Sequence, residues 1–301
     1  MDERRTMGRR AVLAAALLAP AACAAPAPQP ASAPPVAATA QLAALEQRFA
    51  TRLGVYAVAT GDGRELAHRA DERFAHCSTF KALAVGAILD RFPVEHLDVR
   101  VPIAAADVVT YSPVSGKLVG VGMTIREAAD AALRYSDNTA GNLLLKQVDG
   151  PAGVTAFGRS LGDQVTRLDR WETELNTAIP GDERDTSTPR ALATDYRELV
   201  LGTRLDTAKR ELLRGWLLAN TTGDQRIRAG VPQGWQVGDK TGTGDYASAN
   251  DVAIIWPPSS PPLVLAVLSA SDKPDAKPDN ALFVEVARLV TTALGPASGG
   301  G

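Results

Sequence analysis

Ser78-Thr79-Phe80-Lys81 opens the stretch of sequence that decides the fold. The residues from Lys81 to Leu89 are apolar apart from the lysine itself, a composition typical of a helix that is buried on every side. Because positions i and i+3 share one face of a helix, the spacing predicts that Lys81 lies one turn from Ser78. Burial lowers the pKa of a lysine, so Lys81 could accept the Ser78 proton and make the serine a nucleophile. Taken alone, the pair also fits a serine N-cap beside a snorkelling lysine.

The chain on either side of this helix predicts an α+β fold. Strand patterns occur near both ends, at residues 54–60, 65–69, 235–240, 251–256 and 263–268, and helical patterns lie between them. We expect a five-stranded antiparallel sheet flanked by terminal helices, which forms a discontinuous α/β domain, plus an all-α domain. The predicted domain bounds are 40–69 with 216–296 for the sheet domain, 70–215 for the all-α domain and 297–301 for a tail.

Local patterns add detail to this fold. Leu42, Leu45, Phe49 and Leu53 recur at helical intervals and predict an amphipathic opening helix. A capping box at 124–127 predicts a helix start, and Asp149-Gly150-Pro151 is predicted to end a later helix. Residues 163–188 are polar and irregular, and a loop of that length is usually functional or disordered.

The first 39 residues are predicted to be a signal peptide followed by an Ala/Pro-rich tether. Arg9-Arg10 precede an apolar run from Ala11 to Ala19, and small residues follow. We therefore expect an exported protein, periplasmic or extracellular, by either the general or the twin-arginine route. Pro20-Ala21-Ala22-Cys23 loosely resembles a lipoprotein processing site, so a lipid anchor at Cys23 is an alternative.

The charge and the histidines exclude several classes of function. The chain has 32 Lys and Arg against 34 Asp and Glu, a net charge of −2, so no basic face predicts nucleic-acid binding. The three histidines lack metal-binding spacing, and neither a metal nor a cofactor is predicted. His76 is close to Ser78, but a Ser–His–acid triad would leave the remaining motifs unexplained. Cys77 is predicted to be a buried, inert thiol.

Three further motifs follow the Ser78 motif in order. They are Ser136-Asp137-Asn138, Glu172-Thr173-Glu174-Leu175-Asn176 and Lys240-Thr241-Gly242. Each alone fits an ordinary turn, a solvated carboxylate or a strand end. Together, over residues 41–296, the four motifs resemble those of a class A serine β-lactamase. The resemblance implies a β-lactamase/transpeptidase-like fold and a monomeric hydrolase that opens the β-lactam ring of penicillins and cephalosporins.

The resemblance also implies a role for each catalytic residue. Ser78 would be the acylated nucleophile, and Ser136 would relay a proton to the β-lactam nitrogen. Glu172, with Asn176, would hold the water that hydrolyses the acyl-enzyme. The base for acylation is open between Lys81 and Glu172 acting through water.

The substrate-binding roles fall on a second set of residues. Backbone N–H groups of Ser78 and Thr243 would form the oxyanion hole, and an Arg170–Asp185 ion pair would tie the ends of the long loop. Residues expected to bind substrate are Tyr111 at the cleft rim, Asn138, Asn176, Lys240, Thr241, Gly242, Thr243 and Arg226.

Arg226 is included because the sequence departs from the family. Many members carry an arginine after Lys-Thr-Gly that supports the substrate carboxylate, and Ala249 occupies that position here. Arg226 aligns with a site where relatives that lack this arginine carry one instead. The alternative interpretation is that Arg226 is solvated, as is expected of Arg228.

Two other functions share part of the signature. A D-alanyl-D-alanine peptidase or transpeptidase, and a penicillin-binding receptor domain, would both carry the Ser78, Ser136 and Lys240 motifs. Both lack the Glu172 motif as a deacylation apparatus, and a receptor would also need a transmembrane segment. The Glu172 motif therefore favours the hydrolase.

Overall fold

A five-stranded antiparallel sheet organises the computed structural model, which describes residue 1 and residues 34–296. The strands of the sheet are β1 (Arg52–Ala59), β2 (Glu65–His68), β7 (Gln236–Thr243), β8 (Ala249–Trp256) and β9 (Leu263–Ala270). Their spatial order is β2-β1-β9-β8-β7, and every neighbouring pair is antiparallel. Two small ladders join β3 (Phe74–Ala75) to β6 (Thr186–Ser187) and β4 (Arg100–Val101) to β5 (Met123–Thr124). The predicted α+β fold is confirmed, whereas the proposed signal peptide, Cys23 and the tail 297–301 lie outside the described residues.

Helices cover both faces of the sheet. They are α1 (Pro34–Arg48), α2 (Phe80–Arg91), α3 (Ile125–Arg134), α4 (Asn138–Gln147), α5 (Gly150–Ser160), α6 (Pro189–Leu201), α7 (Thr207–Leu218), α8 (Ile227–Gly230) and α9 (Asn280–Leu294). Helix α2 is buried from Phe80 to Leu89, as its apolar composition predicted. Within the part of the chain that the structure describes, no helix is long and apolar enough to span a membrane.

The alternation of side chains along the strands divides the interior into two cores. In β1, Tyr56 and Val58 face the larger core, which includes residues of α2, α3, α4 and α6. Val55 and Ala57 face the opposite way, into a core shared with α1 and α9. Successive residues of a strand point to opposite faces, so apolar residues on both sides of β1 require layers on both sides of the sheet. The domain bounds at 69/70 and 215/216 stay a prediction.

The opening helix differs from its prediction at both ends. Helix α1 begins at Pro34, inside the predicted tether, and ends at Arg48. Leu42 and Leu45 are buried as expected, but Leu53 lies in β1 opposite Ser269 of β9. Ala50, with φ of 46°, interrupts the helical backbone before Leu53. The helical spacing of apolar residues continues past α1 because Leu53, a buried residue of β1, lies four residues after Phe49.

Asp149-Gly150-Pro151 begins a helix as well as following one. Helix α4 ends at Gln147, and α5 starts at Gly150 with proline in its first turn. Proline is well tolerated there, because that N–H has no partner within the helix. The sequence prediction therefore missed α5, whose residues 150–160 contain three glycines and little apolar periodicity. The capping box at Thr124 is confirmed.

Candidate active site

Ser78 and Lys81 lie at the start of α2, where the chain passes from a short 3-10 helix at Cys77–Thr79 into the α-helix. Lys81 Nζ donates to Ser78 Oγ at 2.9 Å, so the two side chains meet across one turn as predicted. The same nitrogen donates to Asn138 Oδ1 at 2.7 Å and to the Ser136 carbonyl at 2.8 Å. Burial lowers the pKa of Lys81, while the nearby Glu172 charge opposes that shift.

Glu172 completes this cluster from the long loop. Ser78 Oγ donates to Glu172 Oε1 at 2.8 Å, and Lys81 Nζ lies 2.9 Å from the same oxygen. Asn176 Nδ2 donates to the other carboxylate oxygen at 2.5 Å. Two groups able to take the serine proton, one amine and one carboxylate, therefore lie within 3 Å of the hydroxyl.

Partly buried contacts hold the loop 163–188 in place. Arg170 and Asp185, the predicted ion pair, meet at 2.5 Å, and Asp185 also accepts the backbone N–H of Arg170 at 2.9 Å. Asn142 clamps Glu172 itself, since its side chain accepts the Glu172 N–H and donates to the Glu172 carbonyl, each at 2.9 Å. The loop is therefore a fixed support for the carboxylate.

Asn142 was missed by the sequence analysis. It lies one turn after Asn138 on α4, so an i, i+4 pair of asparagines was the available signal. Its contact with Glu172 spans 30 residues of sequence, and no local pattern reports such a contact.

Ser136 connects the two helices α3 and α4 in a left-handed backbone conformation, with φ of 56°. Asp137 caps α4 by accepting the Ala140 N–H at 2.9 Å, which fixes the turn. Lys240 Nζ reaches Ser136 Oγ at 2.9 Å from the other side of the cleft. Burial, followed by repulsion from Lys81, lowers the pKa of Lys240 well below its ordinary value.

Strand β7 supplies the wall of the cleft. It extends to Thr243, so Lys240, Thr241, Gly242 and Thr243 are all strand residues, beyond the predicted end at 240. A Cβ at Gly242 would lie 2.8 Å from the His76 carbonyl, which explains the requirement for glycine. Thr241 Oγ1 pairs with Thr222 Oγ1 at 2.5 Å.

Arg226 is buried beside this strand. Its guanidinium donates to Thr243 Oγ1 at 2.8 Å, to the Gly242 carbonyl at 2.9 Å and to the Asn250 carbonyl at 2.7 Å. The alternative of a solvated Arg226 is wrong, because the residue is only 8% exposed. The expectation of a solvated Arg228 is also wrong, since its Nε donates to the buried Asp239 at 2.5 Å.

These residues surround a cleft of about 390 Å³. Its lining consists of Ser78, Tyr111, Ser136, Asn138, Asn176, Thr222, Arg226, Thr241, Gly242 and Thr243. Of these, Thr222 alone was not among the predicted site residues, and it lies in a segment without periodic pattern. Tyr111 is 59% exposed at the rim, whereas Lys81, Glu172 and Lys240 lie behind the lining. A larger cavity of about 480 Å³, behind the tip of the 163–188 loop, contains none of the predicted site residues.

Cys77 and His76 have no contact with the serine hydroxyl. Cys77 is fully buried as predicted, and burial raises the pKa of its thiol to about 12, which favours the protonated form. The two nitrogens of the His76 ring bind backbone carbonyls, those of Cys77 at 2.9 Å and Arg167 at 3.1 Å, and the ring lies against Phe80. Across residues 34–296, no group of three His, Cys, Asp or Glu side chains could hold a metal ion.

The family model and the relatives that match this chain all belong to one family. The model of the beta-lactamase enzyme family matches residues 37–294. Beta-lactamase AST-1 from Nocardia asteroides is 58% identical over 253 residues, which is 83% of this chain and 82% of the relative. A beta-lactamase from Mycobacterium tuberculosis is 52% identical over 256 residues, with 83% of each chain covered.

Solved structures show the same similarity in three dimensions. The crystal structure of a beta-lactamase from Desulfarculus baarsii has a TM-score of 0.85 and 52% identity, over 87% of this chain and 98% of that one. The beta-lactamase from Streptomyces albus G has a TM-score of 0.84 and 47% identity, over 86% of this chain and the whole of that one.

Proposed function

Because this chain belongs to the beta-lactamase enzyme family, we propose that it is a class A serine β-lactamase that opens the β-lactam ring of penicillins and cephalosporins and so confers antibiotic resistance. One observation carries the proposal. The Ser78 hydroxyl lies 2.8 Å from a Glu172 carboxylate oxygen and 2.9 Å from the Lys81 amine, inside a cleft large enough for a small ligand.

The first half of the reaction forms the acyl-enzyme. Ser78 Oγ loses its proton to the Lys81–Glu172 pair and bonds to the carbonyl carbon of the β-lactam ring. Backbone N–H groups of Ser78 and Thr243 stabilise the oxyanion that develops on the carbonyl oxygen. The C–N bond of the ring then breaks, and the nitrogen takes a proton through Ser136, whose hydroxyl accepts a hydrogen bond from Lys240.

The second half hydrolyses the ester on Ser78. The Glu172 carboxylate takes a proton from a water molecule, the water oxygen attacks the ester carbon, and Ser78 leaves with the proton returned. Asn176 holds the other oxygen of that carboxylate, and Asn142 fixes its backbone. This apparatus favours hydrolysis over the peptidase and receptor alternatives. The motifs that those alternatives share with this chain account for acylation of the serine but do not include the Glu172 motif that hydrolyses the ester.

Substrate binding uses the cations and hydroxyls of the β7 wall. Lys240, Thr241 and Thr243 bind the substrate carboxylate, and Arg226 supports it through Thr243. Asn138 contacts the acylamino side chain, while Tyr111 stands at the rim.

The test of this function is turnover of benzylpenicillin by the wild-type protein and by Ser78→Ala. We expect ring opening by the wild type and none by the variant, because no other nucleophile lies at this position of the cleft. Thermal unfolding should show that the variant is folded, and burst-phase acylation surviving in Ser78→Ala would contradict the assignment. The same assay with an oxyimino-cephalosporin and a carbapenem defines the substrate range.

We further propose that the protein is exported and acts as a monomer without metal or cofactor. Pulse labelling should show loss of roughly the first 20–40 residues, the length of a signal peptide with its tether. Cys23→Ala separates the two processing routes. Release of a membrane-bound product by this variant indicates a lipoprotein, and an unchanged product indicates ordinary signal-peptide cleavage.

A further inference from the structure

Two buried aspartates lie side by side behind the β7 wall. Asp251 of β8 is opposite Thr241 of β7, and Asp239 precedes Thr241 by two residues, so both carboxyl groups are on one face of the sheet. Both are fully buried, burial raises the pKa of each, and the two carboxyl groups are close enough to share a hydrogen bond. Two ionised carboxylates in contact in a dry environment repel strongly, so one of them must hold a proton.

The partners of the two groups indicate which one holds it. Asp239 has two strong donors, Arg228 Nε at 2.5 Å and Asn220 Nδ2 at 2.6 Å, one on each oxygen. Asp251 has a single backbone donor, the Ile227 N–H at 3.1 Å, and its Oδ1 is buried without a donor among residues 34–296. Burial and the neighbouring Asp239 charge raise the pKa of Asp251 well above its usual value. The proton therefore belongs on Asp251.

The consequence concerns Arg226. Its guanidinium donates only to uncharged groups, which are the Gly242 and Asn250 carbonyls, Thr243 Oγ1 and Asn280 Oδ1. In the described part of the chain, no carboxylate oxygen lies within 4.0 Å of the Arg226 guanidinium, so Arg226 forms no ion pair there. The strongest opposing charge nearby would be that of an ionised Asp251. A neutral Asp251 leaves Arg226 without a carboxylate of its own, because the other nearby carboxylate, Asp239, is paired with Arg228.

We propose that Asp251 retains a proton, which it donates to Asp239, and thereby keeps the charge of Arg226 uncompensated for the carboxylate of the substrate. Asp251 is then a positioning residue that acts through Arg226, and the inference rests on the function proposed above. The titratable groups that interact with Asp251 are Asp239 and Lys240 on β7, Arg226, and Tyr196 on α6, while Arg228 on α8 interacts with Asp239.

The kinetic test uses two variants. The first moves the negative charge from residue 239 to Asp251, and the second removes that charge. In Asp239→Asn the amide donates to Asp251, which can then ionise and become the counterion of Arg226. We expect KM for benzylpenicillin to rise roughly tenfold, the loss of one charged interaction, with kcat changed much less. The double variant Asp239→Asn/Asp251→Asn has no carboxylate to oppose Arg226, so its KM should return most of the way to the wild-type value.

The control substrate is the methyl ester of benzylpenicillin, which lacks the negative charge. Its KM should change little between the single and the double variant. A purely structural role predicts the opposite order, with the double variant as impaired as the single one or more so. A double variant whose KM for benzylpenicillin stays at or above that of Asp239→Asn therefore overturns the proposal.

A spectroscopic readout tests the proton independently of activity. In protein labelled with ¹³C at the aspartate carboxyl carbons, Asp251 should give a resonance typical of a protonated acid at pH 7. Asp195 provides the matched control, because burial beside Asp163 raises its pKa to about 9 and it should give a second such resonance. Asp195→Asn should retain one protonated signal, assigned to Asp251 through its backbone correlations. Because burial also raises the pKa of Asp239, a remaining signal that belongs to Asp239, or the absence of any such signal, overturns the proposal.

These measurements also separate the inference from the proposed function. Failure of the proposed function appears as a wild-type protein that does not open benzylpenicillin, whatever the carboxyl spectrum shows. Failure of the inference appears as an ionised Asp251 in an enzyme that turns over normally. Should the aspartate variants at 239 or 251 not fold, the wild-type and Asp195→Asn spectra still decide the point.

Discussion

Lys81 and Lys240 are two completely buried lysines that meet the same residue from opposite sides of the cleft. Lys81 donates to the carbonyl of Ser136, and Lys240 donates to its hydroxyl. Burial lowers the pKa of both amines. Their surroundings differ in one respect, because Glu172 lies 2.9 Å from Lys81, whereas the close partners of Lys240 are the Ser136 hydroxyl and the Thr241 carbonyl.

This difference assigns a separate task to each lysine. A proton can move between Lys81, Ser78 and Glu172 without changing the total charge of the buried cluster, which suits repeated proton transfer. Lys240 has no carboxylate partner of its own among the described residues, so a buried positive charge there is poorly compensated until an anion arrives. A substrate carboxylate is such an anion, and its binding should raise the pKa of Lys240.

The largest effect should follow from removing the carboxylate that distinguishes the two lysines. Glu172→Ala deprives Lys81 of its counterion and the hydrolytic water of its base. We expect kcat to fall by roughly 10²–10⁴-fold, the usual contribution of general base catalysis, while an acyl-enzyme accumulates on Ser78. Intact-mass spectrometry after mixing with benzylpenicillin measures that adduct.

Glu174→Ala is the matched control, because Glu174 lies in the same segment with an exposed side chain. Its kcat should stay close to that of the wild type, and no adduct should persist. Rapid turnover by Glu172→Ala without an adduct would remove Glu172 from deacylation and would leave Lys81 as the only base of the cluster.

Removing the unpaired lysine should change binding more than chemistry. Lys240→Ala loses the charged hydrogen bond to the substrate carboxylate and the bond to Ser136 Oγ. At about 1.5–3 kcal/mol each, their loss lowers kcat/KM for benzylpenicillin roughly a hundredfold or more. Steady-state kinetics with the methyl ester of benzylpenicillin provide the control, since the variant should lose less activity on a substrate without the carboxylate.

The pH dependence of the wild type sharpens the same point. A lowered pKa means that Lys240 releases its proton at a lower pH than an ordinary lysine, so KM for an anionic substrate should rise with pH in a range below the usual lysine pKa. The KM of Lys240→Ala should lack this rise. A rise of equal size in the variant would show that another group, such as Lys81, is responsible.

The residues of the candidate site could be named from sequence because four short motifs resemble those of a known family, while helix spacing alone predicted only that Ser78 and Lys81 would meet. Ser78 and Lys81 meet through one helical turn, and the motifs of Ser136, Glu172 and Lys240 each occur in a single segment. The residues that support them could not be found this way. Asn142 reaches Glu172 across 30 residues, and the buried state of Asp251 depends on where β7 and β8 pair.

The errors in the fold have a related cause. Leu53 shares the spacing of α1, but pairing of β1 with β9 places it in the sheet. Helix α5 has too little apolar periodicity to be predicted, yet Val154 and Phe157 bury it in the larger core. In both segments tertiary packing decides the outcome against the local pattern.

A third cation, Arg226, gives the smallest of these effects, because it acts on the substrate carboxylate through its hydrogen bond to Thr243 Oγ1. Arg226→Ala should lower kcat/KM for penicillins roughly ten- to a hundredfold, mainly through KM, as expected for one charged hydrogen bond. Steady-state kinetics measure the change, and thermal unfolding checks that the variant keeps its fold. The methyl ester substrate should show a much smaller loss.

Adding an arginine at position 249 tests whether kcat/KM depends on a positive charge beside Thr243 or on Arg226 itself. Ala249 is buried and lies opposite Thr243 in the β7–β8 register, on the side of the sheet from which Arg226 reaches Thr243. Removal of the Arg226 side chain leaves room there, so the double variant Arg226→Ala/Ala249→Arg should recover part of the lost kcat/KM. Ala249→Arg alone should be destabilised, because two guanidinium groups would compete for one buried space. If Arg226→Ala leaves kcat/KM unchanged, the substrate carboxylate is bound by Lys240 and the threonines without a second cation.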